Sequence, residues 1–314
     1  MKSTLFALLT ALLGVMIAQG DPIKTDEGRV LFRSAEAPVF AWQKNPMTEP
    51  KGGEKFTLSA FIHPLTTPRG FLCTEIQPED HLHHLGIWWP WKYVEVNGKK
   101  FNTWEIQQGQ GAHVARSVKE ISRTASGAEW EVSNETLIKQ GDAEPKVVIH
   151  ETGRIALTIR GDATLLDITL DQKAADTPVV IGKYRYSGFT WRGPETWNKD
   201  NSTMVSSEGK GRDQANGTPA RWLMLNHTST QGVVSVLIMS RAAIITGAPE
   251  KIRVWSSKDH NGTPFVNFNP VFDKSVSLDD ANPAVSKRSY RVIAADRVID
   301  ADEAESEWKK WAGR

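Results

Sequence analysis

Alternation of apolar with small or polar residues recurs along most of this chain. Phe56-Thr57-Leu58-Ser59-Ala60-Phe61-Ile62 shows it, and so does Trp130-Glu131-Val132-Ser133-Asn134. A period of two puts every second side chain on one face of an extended backbone, so these runs predict half-buried strands. Arg154–Arg160 and Ala163–Leu170 are two more such runs, separated by Gly161-Asp162, and together they predict a hairpin. Gly232–Met239 and Ser289–Ala294 continue the pattern, and Val96-Asn97-Gly98-Lys99 reads as a tight turn. Many short strands with turn residues between them predict an all-β, mainly antiparallel fold, a sandwich or barrel.

Helical periodicity is convincing only at the C-terminus. Asp300 is placed to cap a helix, with Glu303 at the capping-box spacing. Ala304, Trp308 and Trp311 then share one face, which predicts a helix packed outside the sheets. The segment from Thr196 to Pro219 is rich in Asn, Ser, Gly and Lys and reads as a long loop. Long loops on rigid β scaffolds often carry binding residues.

The first twenty residues have a different character. Lys2 precedes an uncharged apolar run from Leu5 to Ile17, and Ala18-Gln19-Gly20 offers small residues before Asp21. This is the pattern of a cleaved secretory signal peptide, and the run is short for a membrane span. The expected product is one β-sandwich domain over residues 21–314, periplasmic or secreted and free of the membrane after cleavage. A chain of this length can bury roughly three quarters of its unfolded surface. It needs no disulfide, and its single cysteine, Cys73, reads as a small buried hydrophobe. A net charge of +1 argues against nucleic acid as a partner.

Candidate chemistry concentrates between Asp80 and Trp91. That stretch holds three of the eight histidines and three of the twelve tryptophans. If the piece is extended, His81 and His83 point to one side and can chelate a divalent metal. His63, His113, His227 or Glu105 would then supply a third ligand. Without a metal, His81, His83 and His84 can serve as acids or bases near neutral pH, with Asp80, Glu79 or Glu75 orienting them. Arg192 and Glu195 add a second cluster suited to binding a carboxylate or hydroxyl and to acid–base work. Trp88, Trp91, Trp104 and Trp191 offer faces on which sugars stack, although core filling competes for each of them. Trp88 and Trp89 are adjacent, so on a strand only one of them shares a side with a given histidine. No nucleophile elbow, P-loop, dinucleotide fingerprint or His-Glu-x-x-His motif is present.

His63-Pro64-Leu65-Thr66-Thr67-Pro68-Arg69-Gly70, followed by Pro78-Glu79-Asp80-His81-Leu82-His83-His84-Leu85-Gly86-Ile87, resembles the signature of a large bacterial family of unknown function. That family often carries the label "methane oxygenase PmoA-like". Tyr186–Arg192, Ala220-Arg221-Trp222, Phe265–Pro270 and the closing Tyr290-Arg291-Val292 fit the same pattern, so the resemblance spans nearly all of residues 21–314. This chain has Leu82 where the family pattern commonly has proline. The membrane methane monooxygenase subunit is a bundle of transmembrane helices, and a β-rich chain cannot be that protein. The resemblance implies instead a large β-sandwich of the galactose-mutarotase supersandwich type, in proteins common in bacterial carbohydrate degradation. It carries over His63, His81, His83, His84 and Arg192 as candidate site positions.

Three functions follow as expectations. The first is a carbohydrate-active lyase, epimerase or hydrolase, acting on a sugar or oligosaccharide by histidine acid–base chemistry with no cofactor required. The second is a non-catalytic sugar-binding or surface-interaction module. The third is a metal enzyme with His81 and His83 among its ligands.

Overall fold

The computed structural model describes residues 25–26, 28–34, 37–47 and 50–313, so the expected signal peptide lies outside the described residues. Among the described residues three sheets carry the fold, and every strand pair in them is antiparallel. The second sheet is the most regular. Its eight strands include Gly127–Ile138, Lys146–Arg160, Ala163–Ala174, Gly232–Ser240 and Lys287–Ala295. The Gly161-Asp162 hairpin forms as expected, with Arg160 paired to Ala163, and Val96 pairs with Lys99 across the Asn97-Gly98 turn.

The first sheet positions the site. From one end its strands include Ala37–Gln43, Phe61–Leu65, Ile87–Trp88, Thr190–Arg192, Phe265–Asn269 and Lys251–Val254. One face packs on the second sheet. There Trp42, Ile62, Trp191, Val254 and Val266 join Trp130, Ile155, Ile168, Val236 and Val292 in a single apolar core. The strand period sends the neighbouring residues the other way. Trp88 and Phe265 therefore lie on the opposite face, in a separate cluster with Phe56, Leu58, Leu85, Trp104 and Trp255. That second cluster forms the floor of the candidate site.

A four-stranded sheet containing Tyr93–Val96, Lys99–Asn102 and Val179–Ile181 packs beside these two around Trp91, Ile149 and Val271. The predicted C-terminal helix spans Ala301–Ala312. The Asp300 carboxylate accepts from Glu303 N at 2.8 Å, and Gly313 closes the helix in the left-handed region at φ 75°. Ala304 and Trp308 pack on Trp222, Met224 and Ile293 and cover the outer face of the second sheet. No helix among the described residues is long and apolar enough to cross a membrane.

One predicted strand is wrong. Of Phe56–Ile62, only Phe61 and Ile62 are in a strand, Phe61–Leu65. Ala60 sits at φ 61°, which turns the chain before the sheet begins, and Glu54–Phe56 form a short 3-10 turn. The alternation there reflects Phe56 and Leu58 burying into the cluster below the site from an irregular segment.

Candidate functional site

The His-Leu-His-His stretch is a tight turn, not an extended piece. His81 N donates to Pro78 O at 3.0 Å, and His84 N donates to His81 O at 2.9 Å. Gln77 N donates to His84 O at 2.8 Å and Gly86 N to Glu75 O at 2.8 Å, so the loop returns to where it left the sheet. Arg192 N donates to Gly86 O at 2.8 Å, which ties the loop to the strand Thr190–Arg192. Gly86 has φ 66°, and a Cβ there would collide with Ile62 O. Only glycine lets the loop lie this close to the neighbouring strand. Leu82 anchors the turn by packing on the apolar cluster beneath it.

This turn brings three imidazoles together by stacking. The His81 and His84 rings lie 4.5 Å apart and nearly parallel, at 19°. His83 stands edge-on to both, with centroids 5.5 Å from His81 and 4.9 Å from His84. The expected same-side His81–His83 chelate therefore does not form in its extended geometry. Trp88 lies beneath His84 at 5.2 Å, while Trp89 turns to the inter-sheet core and stacks on Trp42 at 5.4 Å.

A cavity of about 260 Å³ opens above this cluster. His81, His83 and His84 line it together with Trp104, Glu105, Arg185, Tyr186, Arg253, Trp255, Asp259 and His260. Glu105 forms a short ion pair with Lys92 and accepts a hydrogen bond from Tyr186 Oη at 2.7 Å. Burial alone would raise the Glu105 carboxyl, but Lys92 and Tyr186 outweigh it and hold the group below its usual range. Burial, reinforced by Glu105, pushes the Tyr186 phenol up.

Burial is the largest influence on the histidines. It lowers His83 to about 4 against the pull of Glu105. It pushes His84 well below the usual imidazole range, assisted by His83 and His81. His81 is also lowered by burial, with Asp80 opposing. His84 is 3% exposed, and its Nδ1 has no hydrogen-bond partner. An unsatisfied buried polar atom beside a cavity is an expensive arrangement for a purely structural residue.

Arg192 lies against the pocket wall. It is 1% exposed, with its guanidinium 4.6 Å above the Trp255 ring. Its Nη2 donates to Asp80 Oδ1 at 3.2 Å, and its Nε and Nη1 have no hydrogen-bond partner. Glu195 reaches Arg192 at 3.8 Å from an exposed position outside the cavity lining.

Other expected site residues lie elsewhere. His63 faces Thr74 Oγ1 at 2.9 Å behind the loop and does not line the cavity; burial, then Arg29, lowers it to about 4. Trp91 packs against the small sheet, donating to Gln172 Oε1 at 2.9 Å with Arg288 4.3 Å above its ring. Trp191 fills the inter-sheet core and donates to Cys73 O at 2.8 Å. Trp88 and Trp104 belong to the pocket's apolar cluster but are only 1% and 2% exposed, so they support the site from below. Of the expected third ligands, only Glu105 reaches the cavity. His113 lies 3.5 Å from Glu151 inside the sandwich, and His227 stacks on Trp197 at 4.6 Å. Other hollows, of about 330 Å³ beside Lys287 and about 520 Å³ beside Phe272, have no histidine in their lining.

Comparison with known proteins places the chain in a family. A model described as a family of unknown function (DUF6807) matches residues 29–309. The chain belongs to that family. The narrower PmoA-like label remains a resemblance of motifs. A comparison with curated proteins finds no match. Among solved structures, the chain is similar to an Escherichia coli K12 protein described as a "Putative aldose 1-epimerase". Identity is 7%, the TM-score is 0.35, and the alignment covers 77% of this chain and 92% of that one.

The pocket residues not named as site candidates from the sequence are Arg185, Tyr186, Arg253, Trp255, Asp259, His260 and Phe265. Arg253 and Trp255 belong to the outward-facing positions of the strand Lys251–Val254 and its continuation, opposite the inward Ile252 and Val254. That alternation was legible, but its meaning depended on which sheet face carried the site. His260 is presented by a loop in which His260 and Asn261 are left-handed, at φ 46° and 54°. The polar segment from Thr196 to Pro219 is not one long loop, since Ser202–Ser206 forms an edge strand of the second sheet; it braces the His260 loop and does not line the pocket. Arg212 donates to Gly262 O, Lys199 N donates to Asn261 O at 3.1 Å, and Asp213 accepts from Ser257 N at 2.7 Å.

Proposed function

We propose that the histidine pocket is the active site of a carbohydrate-active enzyme that moves protons on one acidic sugar unit. The observation that carries this reading is the convergence of four imidazoles with the Glu105–Tyr186 pair in one concave, aromatic-floored cavity. Unpartnered buried donors and carboxylates in a cleft are the arrangement expected of a working site. A volume of about 260 Å³ is near the small end of ligand pockets, which suits a single ring better than a chain. Arg185 and Arg253 on the same wall favour a substrate that carries a carboxylate or another anionic group.

Glu105, kept ionised by Lys92 and Tyr186, is assigned as the proton acceptor, and the same contacts lower its basicity. His83 lines the same cavity and is assigned as its acid–base partner. Epimerisation and elimination share a first step, removal of a proton from carbon beside a carboxylate, and both fit this layout. The tryptophans are buried beneath the site, which favours catalysis over an open sugar-binding face. The N-terminal sequence supports an exported enzyme.

The test is a screen of neutral sugars against uronates and uronate-containing disaccharides. Elimination would be read as ultraviolet absorbance of an unsaturated product, and epimerisation as deuterium uptake in heavy water. Turnover of uronates that falls by roughly 100-fold or more in Glu105→Gln is expected, the scale on which positioned acid–base groups act. Undiminished turnover in the double variant Glu105→Gln with His83→Ala would overturn the reading.

A further inference from the structure

A second feature of the pocket is independent of proton transfer. Asp80, His81 and His260 each offer one ligand-type atom, and all three atoms lie within 4.8 Å of one another. Asp80 Oδ2 lies 3.1 Å from His81 Nδ1 and 3.1 Å from His260 Nδ1. A tetrahedral ion with bonds of about 2.0–2.1 Å keeps its ligand atoms about 3.3 Å apart, so both contacts are at ligand-to-ligand spacing.

His81 Nδ1 is buried and lies 3.1 Å from Asp80 Oδ2, off the line of an ideal hydrogen bond, and the carboxylate raises the imidazole against the effect of burial. One carboxylate oxygen is thus shared by two imidazole nitrogens. The other, Oδ1, accepts from Arg192 Nη2 at 3.2 Å. That is the usual outer partner of a ligating carboxylate: it fixes the group and turns the free oxygen toward the ion.

The three side chains come from two loops, and each loop is built to hold its histidine still. His81 is stacked on His84 and lies 5.0 Å from Trp255. His260 lies against the same indole at 4.1 Å. Its backbone at φ 46° is uncommon for a residue with a side chain and is held by Arg212 and Lys199 from behind. Trp255 is therefore a common support that sets the spacing of the two imidazoles.

We infer that Asp80, His81 and His260 form a site for a divalent first-row transition ion at the edge of the histidine pocket. Two imidazoles and one carboxylate suit zinc, iron(II), cobalt or manganese and leave coordination positions open. His83 is not in the set, and neither are His63, His113 and His227. The site stands on its own ligands and does not require the proposed sugar chemistry. An ion held there, beside Arg253 and His83 in the cavity lining, would face a bound anionic ligand.

The experiment uses untagged purified protein, stripped with a chelator and then titrated with zinc chloride by calorimetry. A parallel titration with cobalt chloride follows the visible absorption of the bound ion, and magnesium chloride serves as the hard-ion comparison. One zinc or cobalt per chain is expected, with no measurable magnesium binding. Asp80→Asn and His260→Ala, both at exposed loop positions, should keep the circular dichroism of the parent and each weaken zinc by more than about 100-fold. Loss of even an outer partner weakens such sites by about 10–100-fold. Glu105→Gln should bind zinc like the parent. No stoichiometric ion in the parent, unchanged binding in Asp80→Asn and His260→Ala, or loss of binding in Glu105→Gln would each overturn the site. Uronate turnover without metal binding would remove this inference and leave the proposed function standing. Metal binding without turnover on any sugar would do the reverse.

Discussion

Trp88 and Trp89 point to opposite faces of one sheet, and each leads to a group of buried histidines and charges. On the inner face, Trp89 Nε1 donates to Glu151 Oε1 at 2.9 Å. Asn134 donates to the same oxygen at 2.7 Å and Gln172 donates to the other, with His113 at 3.5 Å and Arg288 at 3.8 Å. Both carboxylate oxygens of Glu151 are satisfied within the protein. On the outer face, Trp88 Nε1, His84 Nδ1, His81 Nδ1 and two Arg192 nitrogens have no hydrogen-bond partner. The residue types are alike, and both groups hold unpartnered atoms, since His113 Nε2, Asn134 Oδ1 and the three Arg288 guanidinium nitrogens have no directed hydrogen bond; the inner group nevertheless converges on one saturated carboxylate inside the sandwich, whereas the outer group borders a cavity. Residue type therefore does not separate framework from site here; what separates them is whether the group closes on a buried carboxylate or borders a cavity.

The largest expected effect tests the closed side. Glu151→Ala strands His113, Arg288 and three donors in the core and should cost about 3–5 kcal/mol in urea denaturation, as loss of one partner of a buried charge network does. A loss below about 1 kcal/mol would break the comparison. The same carboxyl predicts acid sensitivity. Burial would raise it, but His113, Arg288 and Asn134 outweigh burial and bring it from 4.5 to about 2. A folded value below the unfolded one gives stability that is complete above pH 4.5 and lost as pH falls toward 2. The urea midpoint of the parent should therefore drop between pH 5 and pH 3, and that of Glu151→Gln should drop less.

An intermediate effect separates the two tryptophans. Trp89→Phe removes a hydrogen bond to a charged group and should cost about 1.5–3 kcal/mol beyond the packing change. Trp88→Phe loses no hydrogen bond and should cost less, which paired thermal melts would show. Equal losses would mean that the faces do not differ as described. The smallest stability effect is expected for His260→Ala. Its side chain is 40% exposed, so the change should stay within about 0.5 kcal/mol. A much larger loss would make His260 a structural residue and place it with His113.

Much of the framework was legible locally. Trp130–Asn134 and Ala163–Leu170 lie inside the strands Gly127–Ile138 and Ala163–Ala174, and Asp300 caps the final helix. Phe56–Ile62 misled because burial from an irregular segment produces the same alternation as a strand. The site was legible in part. His81, His83 and His84 stood out by density, and they do line a cavity. Trp91 and Trp191 share the residue type of a sugar platform, but strand parity and packing send them into cores.

The amino-acid sequence by itself determined the antiparallel strands, their turns, the capped helix and the histidine-rich loop, because period, glycine turns and capping act over a few residues. It also determined that Trp88 and Trp89 would face apart. Tertiary structure alone decided which face would carry the cavity, and that Glu151 would be saturated while His84 would not. It alone placed His260 and Trp255 beside His81, through a loop braced by Arg212 and Lys199. Those contacts join residues far apart in the chain, and no local period records a distance that only the packed sheets create.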